Sequence, residues 1–218
     1  MNPIDAASLI LMRERIGAAP EILIVRREAR LAFAAGAYVF PGGRLDPEDY
    51  DAGQAGPAPA DPVDAAARIA AIRETAEETG IVVEAAPADL IPFARWLPPL
   101  TEKLVRRFDT RFYLARTDRD VEPVADGVES SHAFWASAGD ILDRCAREDG
   151  RAIFPTRRLL ERLARFGSYG EAREEAERLP QRIISPWVEQ REGEEWLCIP
   201  DDAGYPVTGE PIATAFRY

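Results

Sequence analysis

The sequence predicts an α/β fold of the α+β kind, in which helices flank a mixed β-sheet. Short apolar runs with strand propensity are interspersed with helical segments, and they do not follow a regular βαβ alternation. The chain has 218 residues and 46% apolar side chains. That is enough to pack one large domain, or a domain with an extension.

Three strands are predicted before the first helix, at residues 6–12, 21–27 and 37–43. Each contains a short apolar or aromatic run, and the third ends in a turn that Pro41 and two glycines favour. A stretch rich in Ala, Gly, Pro and Asp follows at residues 51–62 and has no apolar periodicity. This composition is typical of a surface loop.

The first long helix is predicted over residues 63–79 because good helix formers fill it. Asp61 is a suitable N-cap, Pro62 fits the first turn, and Gly80 ends the helix. Strand propensity returns at residues 81–84. The remaining predicted elements are strands at 107–115 and 128–135, helices at 137–147, 156–166 and 170–179, and late strands at 183–189 and 196–199.

The net charge of −11 argues against a general nucleic-acid partner, which requires a positive surface. An acidic protein can still bind a small anion through a local basic patch or a metal. The two cysteines, Cys145 and Cys198, are far apart and form no metal-binding motif. The apolar run at residues 6–12 is too short for a signal core or a membrane span. We therefore expect no membrane partner and a cytoplasmic location.

Three glutamates, Glu74, Glu77 and Glu78, fall within five residues of the predicted helix. Spacings of three and four residues place side chains on one face, so these carboxylates can converge on one point. Oxygen-rich, multiply charged sites suit Mg²⁺ or Mn²⁺, which commonly complete their shells with water and substrate phosphates. The alternative is an exposed acidic helix end on which Arg73 pairs with Glu77.

The segment RETAEETGI at residues 73–81, with the glycines upstream of it, resembles the Nudix box, G-x5-E-x7-R-E-U-x-E-E-x-G-U, where U is aliphatic. Thr75 is the one departure in the second half. Arg73 follows Gly43 by 30 residues (73 − 43) instead of 14, so 16 residues (30 − 14) are inserted. Asp49 then occupies the position of the first glutamate, and Asp46 also matches an acidic preference there. We expect residues 51–61 to be exposed, mobile and without regular structure.

The segments VFPGGRLD at 39–46, RFDTRFYL at 107–114 and FPTRRLL at 154–160 look like those of the acyl-coenzyme A diphosphatase branch of mammalian peroxisomal type. The resemblance implies an α/β/α sandwich with a Nudix core at residues 1–150, including an insertion at about 50–62. Residues 151–218 would form a helical extension packed on the core within the same domain. Homodimers are common in the superfamily, and the oligomeric state here is open.

The resemblance also implies roles for individual residues. Mg²⁺ or Mn²⁺ would be bound by Gly43, Glu74, Glu77 and Glu78. Arg73 would orient a helix carboxylate, and a glycine at position 42 or 43 lets the backbone approach the metal shell. Glu129 is a candidate for an additional base or ligand, with a solvated strand end as the alternative.

Substrate contacts are expected from Arg26, Arg27, Arg30, Arg107, Gly42 and Gly43, with Lys103 and Arg106 as further cations near the motif. A coenzyme A-associated arginine expected at position 32 is alanine in this chain, and the nearby arginines could serve the same anion or be ordinary surface residues. His132, the single histidine, is assigned a structural role. Phe93 and Trp96 either stack on adenine or pack in the core.

These features imply metal-dependent cleavage of a nucleoside diphosphate linked to another group. Coenzyme A or acyl-coenzyme A, cleaved to 3′,5′-ADP and (acyl-)phosphopantetheine, is the first hypothesis. NADH or ADP-ribose as substrate is the second. A non-catalytic nucleotide-sensing module is a third, and it is disfavoured because such modules are expected to lose the metal carboxylates, which are retained here.

Overall fold

The computed structural model describes residues 2–30, 34–55, 61–99 and 107–215. Within these residues a mixed sheet contains eight strands: β1 (Ile4–Arg13), β2 (Glu21–Arg27), β3 (Tyr38–Val39), β4 (Gly42–Arg44), β5 (Ile91–Trp96), β6 (Phe108–Arg116), β7 (Ser130–Ser137) and β8 (Ile183–Ile184). The strand order is β3-β2-β1-β6-β5-β8, with β4 paired to β1 and β7 paired to β2.

β1 lies at the centre of this sheet and is buried on both faces. It pairs in parallel with β6 from Ile4 to Met12 and antiparallel with β2 and β4. Its side chains alternate between two cores, as the strand period of two requires. Leu9 and Leu11 pack on one side with the long helix, while Ile10 packs on the other. A nearly continuous apolar run is what a strand covered on both faces needs.

Helices cover the two faces of the sheet and complete three layers. They are α1 (Pro47–Gly53), α2 (Pro62–Thr79), α3 (Ala138–Ala146), α4 (Phe154–Leu163), α5 (Tyr169–Arg178) and the short α6 (Ile212–Ala215). The alanines of α2 pack against one face, and α3, α4 and α5 share the core of the other face. The fold is therefore the mixed α/β arrangement that the sequence predicts.

Residues from the C-terminal third of the chain pack into the second core. Leu159, Ala172 and Tyr205 belong to the same apolar cluster as Ile10 of β1, and β8 adds a parallel strand beside β5. This region also carries a small antiparallel sheet of β9 (Trp187–Arg191), β10 (Glu194–Cys198) and β11 (Gly209–Pro211). It is thus helical and stranded, with the late strands near their predicted positions.

The structure differs from the sequence predictions in several places. Residues 81–84 form no strand, although Ile81 is buried under α2. The strand of that region is β5, which contains a proline at a register irregularity, where a ladder N–H is not required. The predicted strand at 37–43 is split into β3 and β4, so Gly42 and Gly43 lie in a strand that pairs with β1 and not in a turn.

Another difference concerns the expected insertion. Asp51, Ala52 and Gly53 form the last turn of α1, so the prediction that this stretch lacks regular structure is wrong for them. They follow a helix start in which Pro47 occupies the first turn, as proline can. Asp51 and Ala52 are exposed as expected. Residues 56–60 lie outside the described part of the chain. No helix within the described residues has the length and apolar composition to cross a bilayer.

A buried ion pair joins α4, α5 and the sheet. The Nε of Arg162 donates to Glu175 Oε2 over 2.9 Å, and its Nη1 donates to the carbonyl of Phe93 over 2.9 Å. The side chains of Arg162 and Glu175 are 3% and 9% exposed. The guanidinium also lies 4.0 Å from the centre of the Phe93 ring. Both charges are compensated, which a buried pair requires.

We expect Glu175→Ala to destabilise the protein by about 3–5 kcal/mol, because it leaves the Arg162 charge buried without its partner. Glu177→Ala on the same helix is the matched control, since it breaks the exposed Arg173–Glu177 pair and is expected to cost about 0.3–0.5 kcal/mol. Urea unfolding of the three proteins measures both. Equal losses of stability would contradict the structural role of the buried pair.

Candidate functional site

The acidic helix α2 is fixed at both ends by its own sequence. The Asp61 carboxylate accepts hydrogen bonds from the amides of Val63 and Asp64 over 2.9 and 3.2 Å. Pro62 takes the first helical position, and Gly80 ends the helix in the left-handed conformation with φ of 67°. These caps are as the sequence predicts. They fix where α2 begins and ends.

The backbone of β4 lies directly against the α2 carboxylates. The amide of Gly42 donates to Glu78 Oε2 over 3.0 Å. A Cβ on Gly43 would lie 2.4 Å from Glu74 Oε1, and a Cβ on Gly42 would lie 2.3 Å from the Ala7 carbonyl of β1. A side chain at position 42 would therefore clash with the backbone of β1, and a side chain at position 43 would push aside the Glu74 carboxylate.

Glu78 is the most deeply buried of the acidic side chains on α2, at 3% exposure. Its Oε1 accepts no hydrogen bond from the described residues. Burial is the main reason why the pKa of Glu78 is raised to about 8, and the charges of Glu74 and Glu129 add to it. The Gly42 amide and the Arg27 charge act in the opposite direction. Buried carboxylate oxygens are normally paired, so this oxygen has room for a hydrogen-bond donor or a cation.

Arg73 connects α2 to α1 by hydrogen bonds to carboxylates on both helices. Its Nε and Nη2 donate to the two oxygens of Asp49 over 3.1 and 2.9 Å, and Nη1 donates to Glu74 and Glu77, each over 3.0 Å. The hydrogen bond with Asp49 is the main reason why the pKa of Arg73 is raised further, so the guanidinium stays charged. Asp49 itself is 2% exposed and also accepts from the Asp46 amide over 2.8 Å. Arg73 therefore holds carboxylates from both helices through hydrogen bonds, and its predicted role in orienting them for catalysis stays a prediction.

The three helix carboxylates do not converge on one point. Glu74 is largely buried, and burial raises its pKa, while Glu77 is 58% exposed and is turned toward Arg73. Glu78 lies beneath β4. Within the residues that the structure describes, no group of three or more His, Cys, Asp or Glu side chains is arranged as a ready metal site.

Glu129 is brought to this acidic cluster from a different part of the fold. It lies on the segment before β7, and its side chain is exposed. Its negative charge contributes to the raised pKa values of both Glu74 and Glu78. The structure thus places together four of the predicted acidic and basic site residues of the box, Arg73, Glu74, Glu77 and Glu78, and adds Glu129 at the rim.

The donor set of the cluster fits a hard divalent cation. It offers the orphan oxygen of Glu78, the carboxylate of Glu74 and the backbone of Gly43 against which that carboxylate packs. Glu77 and Glu129 supply further negative charge nearby. Oxygen ligands of this kind suit Mg²⁺ or Mn²⁺. Closer convergence of Glu74 on a cation would have to compete with its hydrogen bond to Arg73.

The predicted substrate arginines are distributed unevenly around the cluster. Arg27, at the end of β2, is near enough for its charge to lower the pKa of Glu78. Arg26 donates to the Gly36 carbonyl over 3.4 Å, and Arg30 donates to the Val128 carbonyl over 3.2 Å. Arg107 contacts the Pro98 carbonyl over 2.9 Å, on the β5–β6 side of the sheet.

The structure describes His132, Phe93 and Trp96, but it does not describe every other residue singled out from the sequence. Lys103, Arg106 and the alanine at position 32 lie outside the described residues. His132 is exposed on β7, outside the acidic cluster. Phe93 and Trp96 are 2% and 3% exposed and belong to the core, and the Trp96 indole donates to the Tyr205 hydroxyl over 2.9 Å. Core packing therefore replaces adenine stacking for both aromatic residues.

Sequence reasoning missed one residue at the site. The Asp126 carboxylate accepts amide hydrogen bonds from Val128, Glu129 and Ser130, so it shapes the loop that carries Glu129. The dipeptide Asp126-Gly127 is a turn signal that could have identified this loop. Its contact with α2 could not be found in that way, because it depends on backbone hydrogen bonds to the end of the helix.

Comparisons with known proteins identify a family and a fold for this chain. The NUDIX domain family matches residues 2–156. A NUDIX hydrolase from Alicyclobacillus acidocaldarius is similar in structure, with a TM-score of 0.66 and 26% sequence identity over 80% of this chain and 96% of that one. The NUDIX domain of Shewanella oneidensis NrtR, solved with ADP ribose, has a TM-score of 0.53 and 15% identity over 74% of this chain and 86% of that one.

No curated protein matches the sequence. The family match nevertheless spans well over half of the chain and includes β4, α1 and α2, which build the acidic cluster. The fold is shared with solved NUDIX hydrolases. This chain therefore belongs to the Nudix family and is a Nudix hydrolase.

Proposed function

We propose that this protein hydrolyses the diphosphate of a nucleoside diphosphate derivative, with a divalent cation held by Glu74, Glu78 and the Gly43 backbone. Nudix hydrolases generally use divalent metals such as Mg²⁺ or Mn²⁺. The observation that carries the proposal is Glu78, a buried carboxylate with one oxygen left without a partner beside a glycine strand. Such an oxygen is a site for a cation and is costly otherwise.

The chain's own residues prepare this site for a dianionic substrate. When bound, the cation would neutralise phosphoryl oxygens and lower the pKa of a bound water. Arg73 holds Glu74 and Glu77 in fixed orientations through charge-assisted hydrogen bonds. Glu129 is exposed at the rim of the cluster, where it can accept a proton from an attacking water.

Coenzyme A or acyl-coenzyme A is the first candidate substrate. The support is the presence of three arginines close together in the sequence of a protein with net charge −11: Arg26 and Arg27 end β2, and Arg30 lies on the segment after it. Arg27 is close enough to the acidic cluster to influence Glu78. Coenzyme A carries a 3′-phosphate, and these guanidinium groups would match that additional charge.

NADH or ADP-ribose is the second candidate. It is favoured by the shared fold with the NrtR domain solved with ADP ribose. At 15% identity this similarity supports a shared fold, and the residues of the substrate pocket can differ between the two proteins. A non-catalytic sensor is disfavoured, because this chain retains the carboxylates of α2 and their glycine neighbours.

We expect Glu78→Gln to lower the metal-dependent hydrolysis rate by about 100-fold or more, because electrostatic stabilisation of this kind is lost with the charge. The amide oxygen of glutamine can still accept from the Gly42 amide, so the fold should persist. Mg²⁺ should raise the unfolding midpoint of the wild type and leave that of the variant unchanged.

Glu84→Gln is the control for this change, since Glu84 is exposed and pairs with Arg119 away from the cluster. It should keep the wild-type rate and the wild-type response to Mg²⁺. A Glu78→Gln protein that hydrolyses diphosphates at the wild-type rate would overturn the assignment of the metal site.

A dependence of stability on pH follows from the raised pKa of Glu78. The ordinary pKa is 4.5 and the folded value is about 8, so between these values the folded protein binds a proton that the unfolded chain lacks. This contribution to stability is present below pH 4.5 and is lost as pH rises toward 8, with a slope of at most about 1.4 kcal/mol per pH unit.

The measurement compares urea unfolding of the metal-free wild type and Glu78→Gln at several pH values. The variant cannot titrate at this position, so it should gain stability relative to the wild type from pH 5 to pH 8. The difference should then level off. Parallel curves for the two proteins would show that the Glu78 proton is released near its ordinary pKa.

The substrate proposal predicts a higher kcat/KM for coenzyme A than for dephospho-coenzyme A. Arg26→Ala or Arg27→Ala should reduce this preference by about tenfold, the effect of losing one charge-assisted contact to the phosphate. Arg173→Ala is the control, because Arg173 is exposed on α5 and pairs with Glu177. Equal rates on both substrates, or a clear preference for NADH or ADP-ribose, would favour the second candidate.

A further inference from the structure

We infer that Asp126 is a positioning residue that fixes the main chain around Glu129 at the rim of the acidic cluster. The inference rests on the proposed role of Glu129 in the hydrolysis. It concerns the segment from Val124 to Ser130, called here the Glu129 loop. This loop follows β6, ends at the first residue of β7, and is distant in sequence from the box that contains α2.

The Asp126 carboxylate organises the loop from within. Its Oδ1 accepts from the amides of Val128, Glu129 and Ser130 over 3.1, 3.2 and 2.9 Å, and its Oδ2 accepts from the Glu129 amide over 3.1 Å. Gly127 has a φ of +69°, and its amide donates to the Ser130 carbonyl over 3.0 Å. One side chain therefore holds three consecutive amides, with that of Glu129 in the middle.

The same loop is attached to the C-terminal end of α2. The amide of Val124 donates to the Thr79 carbonyl over 2.8 Å, and the amide of Asp126 donates to the Glu78 carbonyl over 3.3 Å. Carbonyls in the last turn of a helix have no partner within the helix, so these bonds satisfy them. Asp126 thus contacts the main chain of the residue proposed to bind the cation.

A third attachment comes from the segment that follows β2. The Glu28 amide donates to the Glu129 carbonyl over 2.9 Å, and Arg30 Nη2 donates to the Val128 carbonyl over 3.2 Å. The main chain of Glu129 is therefore bonded at its amide by Asp126 and at its carbonyl by Glu28. Arg30, which the sequence suggests as a substrate contact, supports the loop in this structure.

These bonds explain how an exposed side chain can act at a defined place. Glu129 is exposed, yet its charge reaches both Glu74 and Glu78. A general base must lie within hydrogen-bond reach of its proton, and small displacements of such a group can cost about 100-fold in rate. With its main chain fixed, only the side-chain torsions of Glu129 remain to be ordered.

The test compares the steady-state kinetics of five variants with those of the wild type: Asp126→Ala, Asp126→Asn, Asp118→Ala, Glu129→Gln and the double variant Asp126→Ala/Glu129→Gln. Asn keeps one carboxamide oxygen that can accept the three amides, so it should retain kcat within about threefold. Asp126→Ala should lower kcat about 10- to 100-fold and change KM less than about twofold. Asp118 is exposed and pairs with Arg116, so Asp118→Ala should match the wild type.

The double variant separates positioning from a general structural role. If Asp126 acts through Glu129, its removal should cause no further loss in the Glu129→Gln background. The inference would be overturned if the kcat losses of the two single variants multiplied in the double variant. It would also be overturned by a wild-type kcat for Asp126→Ala, or by an Asp126→Asn variant as slow as Asp126→Ala. If Glu129→Gln matches the wild type while Glu78→Gln is inactive, the inference fails and the metal proposal stands.

Hydrogen exchange gives a readout that does not depend on the reaction. The amides of residues 128, 129 and 130 should exchange at least about tenfold faster in Asp126→Ala than in the wild type, while amides in β1 keep their protection. This holds even if none of the candidate substrates is hydrolysed, which would defeat the proposed function. Unchanged exchange at the three amides would overturn the ordering role of Asp126.

Discussion

The acidic cluster depends on the close approach of the β4 backbone to α2. Gly43 packs where a Cβ would lie 2.4 Å from Glu74, and Gly42 lies as tightly against β1 on its other side. α2 also carries small residues, because Ala67 and Ala71 are fully buried in the same apolar cluster as Ala7 of β1. Small residues on both elements therefore allow a contact that larger side chains would prevent, and this contact places carboxylates against backbone.

Concentrating acid at this contact creates a repulsion that the protein offsets only in part. Arg73 compensates Glu74 and Glu77, and it is anchored in turn by buried Asp49. Among the described residues Glu78 has no such partner, and its charged form is favoured only by the Gly42 amide and the charge of Arg27. A buried carboxylate without a partner lowers the stability of the fold. Proteins most often tolerate such a loss at functional sites.

Features that depend on residues close together in the sequence could be predicted, whereas features that depend on residues far apart could not. The ends of α2 were predictable because Asp61, Pro62 and Gly80 act on their own turn of helix. The strand role of Gly42 was not, since it requires pairing with β1, which is distant in sequence. β5 was missed because Pro92 is unusual in a strand, and only the irregular pairing with β6 accommodates it. The attachment of the Glu129 loop likewise depends on main-chain bonds that carry no side-chain pattern.

The contact between Asp49 of α1 and Arg73 of α2 joins two residues that are far apart in the sequence. Asp49 and Arg73 are 24 residues apart, against 8 in the family pattern that the sequence resembles. The entropic cost of closing a loop grows only with the logarithm of its length. A threefold longer separation therefore costs about 1 kcal/mol. The acid that pairs with Arg73 lies in the first turn of α1, and its position is set by α1 packing on α2. The chain after Gly53 must only return to Asp61, the N-cap of α2. The Asp49–Arg73 contact therefore depends on the packing of α1 on α2 and not on the length of chain between the two residues.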